Sequence, residues 1–293
     1  MDKNNFMYPL VLGIISALLT FVFAYMGFFL YHLLVIAAVA MFSYKVGSQK
    51  SFILSISYFL TLSLIMPLDS AIMNFIFIAM SGNVIGLTLR TRYLDYCILK
   101  SSTFITLAFF LIHISMNDYY GINVIGNLMD QITLNVKSMG EFSGIGFSEL
   151  VYIIKSSIFG IIYISSVLTT VAVLFIMKIL DKLLKINVNI EFSKLCFKNF
   201  NIFGMIGILL ITYIGSSILE IPFDEVVRNI TLAMVILLYL QGMSFISFYI
   251  IRKYKSIFFS FIIAVVSLFI PFITLTITTI GIVDISRNFR RIG

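Results

Sequence analysis

Long apolar runs are the feature that most limits how this chain can fold. They recur along the whole sequence, from residues 8–30 to residues 257–280, and a helix that crosses a bilayer needs about 20 mostly apolar residues. The chain is 60% hydrophobic and 11% charged, whereas a soluble domain carries about 25% charged residues. No soluble core of this size buries so much apolar surface. The sequence therefore predicts an all-α, polytopic transmembrane helical bundle.

Polar breaks between the apolar runs divide the bundle into about eight spans and one final stretch. The final stretch, residues 257–283, is too long for a simple span and contains Pro271, which removes a helical hydrogen bond and favours a break. It is either one kinked span or a hairpin of two short helices. The eight predicted spans cover residues 8–30, 32–44, 51–66, 71–89, 101–116, 151–177, 202–219 and 229–251.

The distribution of basic residues predicts the orientation. Lys3 and the segments between alternate spans carry 14 of the 20 Lys and Arg residues, and such segments remain in the cytoplasm during insertion. Three arginines follow the final stretch, and only a hairpin keeps them on the same side. We therefore expect a hairpin, with both termini cytoplasmic. The predicted basic cytoplasmic tail consists of Arg287, Arg290 and Arg291.

One inner segment differs from the spans. Ile186, Val188, Ile190 and Phe192 alternate with polar residues, and this period of two indicates an extended piece rather than a helix. Ser193 is a candidate cap for a short run after it. We therefore expect a transmembrane bundle over residues 1–180, a cytoplasmic linker over 181–200, and a second transmembrane bundle with the basic tail over 201–293.

Motifs of enzyme chemistry are absent from the sequence. It has no phosphate loop, no dinucleotide-binding fingerprint and no Cys or His spacing typical of a metal site. The basic residues lie in short clusters between apolar runs, which indicates topology signals rather than a nucleic-acid surface. His32 and His113 lie near predicted outer span ends and are interpreted as interfacial anchors. We expect no catalytic residue, no metal, no cofactor and no nucleic acid.

Uncharged polar residues are the candidates for a site within the membrane. Asn74 and Asn83 lie on the fourth predicted span and Gln241 on the eighth. Such side chains commonly join helices by hydrogen bonds, and this is the alternative to a site for a small neutral solute. Asp69 and Asp284 lie at predicted span ends, where both are expected to be solvated.

Small residues indicate where helices approach closely. Gly82 and Gly86 form a G-x-x-x-G pair, and Gly13 and Ala17 form a similar pair on the first span. Side chains this small allow two helix backbones to come into contact. Gly242, on the eighth span, is a further candidate for helix packing.

The C-terminal third resembles the YybS-like family of predicted bacterial membrane proteins. The resemblance rests on residues 238–243, Leu-Tyr-Leu-Gln-Gly-Met, on Phe248-Tyr249 and Arg252-Lys253, and on an ending with Gly281, Asp284 and Phe289-Arg290. The linker departs from the family pattern because residues 186–200 contain neither proline nor Trp. The resemblance implies a multi-pass protein of the bacterial cell membrane.

That family is in turn distantly similar to the substrate-binding S components of energy-coupling factor transporters. The similarity implies a small-solute binding or transport role and ATP-driven coupling subunits as partners. In S components small residues of the first helix dock against a coupling subunit, and Gly13 and Ala17 match them. The alternative is a membrane scaffold or regulator that acts through its basic cytoplasmic loops on lipid or on another membrane protein.

Overall fold

The structure is a computed structural model, and its helices account for almost every residue that it describes. The described part of the chain contains no strand, as the all-α prediction requires. It consists of residues 7–25, 31–91, 93–121, 123, 125–127, 130, 131, 133, 134, 147–185, 187, 188, 190–197, 222–255, 258–287, 289 and 290.

Among the described residues, six helices precede residue 121. They are α1 (Met7–Tyr25), α2 (Tyr31–Val46), α3 (Ser48–Ile65), α4 (Leu68–Asn74), α5 (Ser81–Thr91) and α6 (Leu94–Tyr120). A six-residue π-helical segment, Phe75–Met80, joins α4 directly to α5, so residues 68–91 form one continuous helix.

Local chemistry explains several helix ends. Met66 is extended and lies before Pro67, because a proline disfavours helical geometry in the residue before it. Gly121 ends α6 with φ 64°, a left-handed conformation that glycine adopts without strain.

Five more helices follow in the part of the chain that the structure describes. They are α7 (Phe147–Ser156), α8 (Ile158–Leu184), α9 (Phe223–Tyr254), α10 (Phe258–Phe269) and α11 (Pro271–Arg287). Acidic Asp224 and Glu225 lie in the first turn of α9, and basic Arg252 and Lys253 lie in its last turn. This placement complements the helix dipole at both ends.

Five helical stretches of the described chain are long and apolar enough to cross a membrane. They are Met7–Ala24, Leu68–Arg90, Leu94–Asp118, Ile158–Leu183 and Phe223–Tyr254. The predicted second span corresponds to α2, a shorter apolar helix, and the third corresponds to α3. The predicted span 202–219 lies outside the described residues. A helical membrane bundle is therefore confirmed, with fewer full-length spans in the described part than the eight predicted.

The chain divides into two compact units. Unit 1 contains residues 1–123 and 166–190, and unit 2 contains residues 124–165 and 191–293. The dividing points fall after residue 123, within α8 and within the predicted linker 181–200. The proposed bundles over 1–180 and 201–293 stay predictions.

Unit 1 is built on close contact between helices that carry small residues. Gly13 of α1 lies against the backbone oxygen of Leu54 on α3, while Gly82 and Gly86 of α5 lie against the backbone oxygens of Ile36 and Ala40 on α2. A Cβ at any of these glycines would collide with backbone. These three glycines therefore allow α1 to pack closely against α3 and α5 against α2.

Contacts within unit 2 show whether the chain continues as one kinked span or turns back at Pro271. Tyr239 of α9 bonds Ser267 of α10 at 2.6 Å, while Gln241, two residues further along α9, bonds Asp284 of α11 at 2.5 Å. Seventeen residues separate Ser267 from Asp284, and a continuous helix of that length would span about 25 Å. Both bonds form only if the chain doubles back, so α10 and α11 are a hairpin. The expected hairpin is confirmed.

The predicted inner segment is only partly as expected. No helix covers the described residues 187, 188, 190 and 191, but Asn187 has φ 64°, so an unbroken extended strand is excluded there. Ser193 lies inside a single 3-10 turn, Phe192–Lys194, rather than at a helix cap.

Candidate functional site

A buried cluster of polar groups lies where α9, α11 and the segment 193–197 meet in unit 2. We call it the polar centre: the side chains of Gln241, Ser244, Asp284 and Arg290, with the backbone carbonyls of Ser193 and Leu195. Its four side-chain residues are buried, with exposed fractions of 0% for Gln241, 3% for Ser244, 2% for Asp284 and 7% for Arg290.

An ion pair dominates the polar centre. Arg290 Nη2 lies 2.6 Å from Asp284 Oδ2, and Arg290 Nε lies 3.1 Å from the same oxygen and 3.3 Å from Oδ1. The amide nitrogen of Gln241 also donates to Asp284 Oδ2, at 2.5 Å. The carboxylate of Asp284 therefore accepts hydrogen bonds from two side chains, Gln241, which precedes it in the sequence, and Arg290, which follows it.

The rest of the guanidinium faces oxygen atoms. Nη1 donates to the Ser193 carbonyl at 2.8 Å and to Ser244 Oγ at 2.6 Å, and Nη2 donates to the Leu195 carbonyl at 2.8 Å. A guanidinium has five N–H donors, and each has an acceptor here. The environment of Arg290 is a cage of oxygens with one net negative charge.

Further bonds fix the segment 193–197 against α9. Ser244 Oγ donates to the Leu195 carbonyl at 2.9 Å, and the backbone N–H of Phe197 donates to Gln241 Oε1 at 3.1 Å. Phe197 is 1% exposed. This non-helical piece of backbone thus has its polar groups paired by side chains.

The polar centre lies near the middle of α9. Between Arg228 and Arg252 this helix has no charged residue, and Gln241 follows the first by 13 positions and precedes the second by 11. At 1.5 Å per residue these separations are about 20 and 17 Å, and the hydrocarbon core of a bilayer is about 30 Å thick. The apolar side chains of Phe259, Ile262, Val265 and Val266 on α10 are exposed, as lipid contact requires. Counted along the chain, Gln241 therefore lies near the middle of a helix that is long and apolar enough to cross a membrane.

A small cavity adjoins the ion pair. Its volume is about 180 Å³, and it is open on one side, where Val283 and Phe289 are exposed. It is lined by Phe245, Thr279, Ile280, Val283, Asp284 and Phe289.

The expectation that Asp284 is solvated is wrong. Asp284 ends the last apolar stretch, and a straight path would place it in water, but the hairpin returns it to the middle of α9. Arg290 is buried with it, so it is not available as a surface charge of the basic tail. Arg287 is exposed, and Arg291 lies outside the described residues.

The three amides predicted for a ligand site make different contacts. Asn83 accepts from Ser43 Oγ at 2.5 Å and donates to Ser55 Oγ, so it joins α5 to α2 and α3. Asn74 donates to the Ser70 carbonyl of its own helix, at 2.9 Å. Both belong to unit 1, whereas Gln241 belongs to the polar centre of unit 2. A ligand role for the three stays a prediction.

Replacing Asn83 is expected to destabilise unit 1 more than replacing Asn74. Asn83→Ala removes a group that bonds two neighbouring helices, and such bonds contribute about 0.6–2 kcal/mol in membranes. Asn74→Ala removes a bond within one turn and is the matched control. Unfolding of the purified protein in detergent, followed by circular dichroism, measures both. Equal losses in the two variants would contradict the assignment of Asn83 as an inter-helix bond.

The small residues predicted for packing are all in contact within the chain. Ala17 is 0% exposed, and Gly13 lies against Leu54 and Ser57 of α3. Helix α3 thus occupies the face of α1 that the resemblance assigns to a coupling subunit. Gly242 lies against the backbone oxygen of Ile277 on α11.

Sequence reasoning missed Asp284, Arg290 and Ser244 as a site. Each looks ordinary alone: an acid at a span end, an arginine in a basic tail and a serine in an apolar helix. The only available signal was the break at Pro271, because a hairpin there brings the tail back to α9.

Comparison with known proteins assigns the chain to one family. The family model described as "Predicted membrane protein (DUF2232)" matches residues 11–285. No curated protein and no solved structure matches the chain. The matched region contains the apolar helices of both units and includes Gln241, Ser244 and Asp284. The chain therefore belongs to the DUF2232 family of predicted membrane proteins.

Proposed function

We propose that this protein binds or transports a small solute, and that the polar centre of unit 2 is its working part. The observation that carries the proposal is a buried ion pair beside the middle of the apolar helix α9, enclosed by the carbonyls of a non-helical segment. Ionisable residues within membrane spans are costly and mark solute or ion pathways. Non-helical backbone is tolerated there only where protein buries it or where it lines a cavity.

The fold offers a reason for keeping such a costly arrangement. Hydrophobic residues of similar volume stabilise a protein as well as a buried ion pair does, or better. Broken helices whose free carbonyls meet a charged group near the middle of the bilayer are typical of secondary transporters. Segment 193–197, the hairpin at Pro271 and the Asp284–Arg290 pair supply these parts.

The finer identification belongs to this proposal. We propose a YybS-like protein of the bacterial plasma membrane, with both termini cytoplasmic and no enzymatic activity. An S-component-like role with ATP-driven partners requires a docking face other than Gly13 and Ala17, because α3 covers Gly13 and Ala17 is buried.

Exposed charges support the alternative role as a scaffold or regulator. Arg252, Lys253, Lys255 and Arg287 of unit 2 are exposed, and cationic residues beside a span attract anionic lipid by about 1 kcal/mol each. Arg290 does not contribute to such a surface. We prefer the solute-binding role because the alternative assigns no role to the buried Asp284–Arg290 ion pair.

Ligand-dependent stabilisation tests the proposed function. Wild-type protein in detergent is screened against small metabolites of differing charge, and a ligand at 100 times its Kd is expected to stabilise it by about 2.7 kcal/mol. The response should be lost in Gln241→Leu, which removes one partner of Asp284, and kept in Asn74→Ala. A screen with no stabilising solute, together with normal cellular function of Gln241→Leu, would overturn the proposal.

A further inference from the structure

The cavity beside Asp284 fits hydrocarbon better than it fits a polar molecule. Four of its six lining residues are phenylalanine, isoleucine or valine. Its two polar residues are already hydrogen-bonded within the chain. Thr279 donates to the Leu275 carbonyl at 2.9 Å, and the carboxylate of Asp284 accepts from Gln241 and Arg290. A cavity of about 150 Å³ accommodates benzene, so a volume of about 180 Å³ has room for part of an apolar chain.

The apolar surface of the cavity continues along α9. The ring of Phe245, in the cavity wall, packs against the ring of Tyr249 with 4.8 Å between the ring centroids. Tyr249 is exposed, and tyrosine is enriched where a membrane span meets water. The apolar surface therefore leads from the cavity toward the end of α9, where Arg252 is the first charged residue after Arg228.

Helices α9 and α11 point in the same direction. Gln241 of α9 bonds Asp284 of α11. Ser244, three residues further along α9, bonds Arg290, six residues further along the chain than Asp284. Later residues of one helix thus meet later residues of the other helix and of the chain after it. The C-terminal ends of both helices therefore lie on the same side of unit 2.

Two exposed arginines extend the walls of the cavity toward that side. Arg287 follows Val283 of the cavity wall by four positions, and Arg252 follows Tyr249 by three. These spacings place side chains on the same face of a helix. Among the described residues, no carboxylate forms an ion pair with either arginine. The cavity is thus bordered on this side by two positive charges that lack a counter-charge in the described chain.

We infer that the cavity and the two arginines form a binding site for one anionic phospholipid. An acyl chain occupies the cavity, and the phosphate group lies at Arg252 and Arg287. A phospholipid joins an apolar chain to a negative charge in one molecule, whereas an acidic peptide has a charge for the arginines but no acyl chain for the cavity. The inference goes beyond the proposed solute binding and does not depend on it.

The lengths along the two helices agree with such a lipid. At 1.5 Å per residue, Arg287 lies about 6 Å beyond Val283, and Arg252 lies about 10 Å beyond Phe245. An acyl chain extends across half of a hydrocarbon core of about 30 Å, or about 15 Å. A chain whose phosphate lies at the arginines therefore reaches the cavity. The proposed orientation puts both arginines on the cytoplasmic side, where the lipid surface is negatively charged.

Lipid retention by the full-length protein tests the inference. Delipidated protein in a mild non-ionic detergent is titrated with phosphatidylglycerol or with phosphatidylcholine of the same acyl chains, and native mass spectrometry counts the bound lipid. One phosphatidylglycerol is expected to bind about 30-fold more tightly than phosphatidylcholine, because each cationic residue contributes about 1 kcal/mol and about 1.4 kcal/mol is tenfold in affinity. Glycerol 3-phosphate, which has the anionic head without acyl chains, should not bind.

Removing the two positive charges should abolish this preference. In Arg252→Gln/Arg287→Gln, phosphatidylglycerol is expected to bind no more tightly than phosphatidylcholine, whose own affinity stays unchanged and reports that the variant is folded. Lys45→Gln/Lys100→Gln removes the same charge from exposed positions of unit 1. It is the matched control and should keep the preference of the wild-type protein.

A larger side chain at the opening of the cavity tests where the acyl chain lies. Val283→Phe should weaken the binding of both lipids about tenfold, as the loss of about two buried methylene groups would. Leu275→Phe adds the same ring at an exposed position of α11 outside the cavity and should leave both affinities unchanged.

Several outcomes would overturn the inference. They are equal affinity of the wild-type protein for the two lipids, binding of glycerol 3-phosphate as tight as that of phosphatidylglycerol, and a preference that survives in the arginine variant. A preference lost equally in the lysine control would indicate attraction by net charge alone, and unchanged binding in Val283→Phe would exclude the acyl chain from the cavity. None of these outcomes affects the metabolite screen, which tests the proposed function separately.

Discussion

Replacing Asp284 with alanine is expected to destabilise the protein by about 3–5 kcal/mol. The change leaves the guanidinium of Arg290 buried without a counter-charge, and breaking a buried pair from one side has this cost. Arg290→Ala leaves the carboxylate of Asp284 buried without a counter-charge, so it should lower the free energy of unfolding by a similar amount. Unfolding in mixed micelles at increasing fractions of denaturing detergent, followed by circular dichroism, measures both losses.

A double variant separates the charge from the packing. Asp284→Leu with Arg290→Met removes both charges and keeps apolar volume, so it should recover much of the stability lost by either single variant. Arg287→Ala changes an exposed arginine and should remain within about 0.5 kcal/mol of wild type. Single variants as stable as Arg287→Ala would show that the ion pair is not formed.

Replacing Gly242 with leucine is expected to separate α11 from α9. A Cβ at this position would collide with the backbone oxygen of Ile277, and a Cβ at Gly281 would collide with that of Leu238. Overpacking a core costs about 1–3 kcal/mol, and the cost here should reach the upper end because the obstacle is backbone rather than a movable side chain.

A cysteine pair reports the separation. Cross-linking between cysteines introduced at exposed positions of α9 and α11, such as Tyr249 and Ser286, should become slower in Gly242→Leu than in the parent pair. Thr276→Leu places the same side chain at an exposed position of α11 and is the control. Unchanged cross-linking and stability in Gly242→Leu would contradict the close contact.

The sequence was sufficient to predict the structural features that depend on the period and length of apolar runs. The all-α membrane class, the positions of most helices and the break at Pro271 follow from local chemistry. The glycine pairs also pointed to positions where the structure has helices in contact, because small residues at helical spacing are a local signal.

The polar centre could not be predicted from the same signals. It is assembled from residues near 195, 241, 284 and 290. Their proximity depends on tertiary contacts, which the periodicity of apolar residues does not reveal. The length of the final apolar stretch predicted that Asp284 lies in water, because this length gives a distance along the chain and not the direction in which the chain runs. The same reasoning assigned Arg290 to an exposed tail.

The π-helical segment Phe75–Met80 has a consequence for how this protein tolerates change. A wide turn holds one residue more than an α-helical turn, and each residue of an α-helix rotates the following ones by about 100°. Loss of a single residue within 75–80 would leave a regular helix of ordinary composition, yet it would turn Asn83 away from Ser43 and Ser55, and Gly82 and Gly86 away from α2. Short deletions that look harmless in an apolar helix are therefore expected to be selected against here.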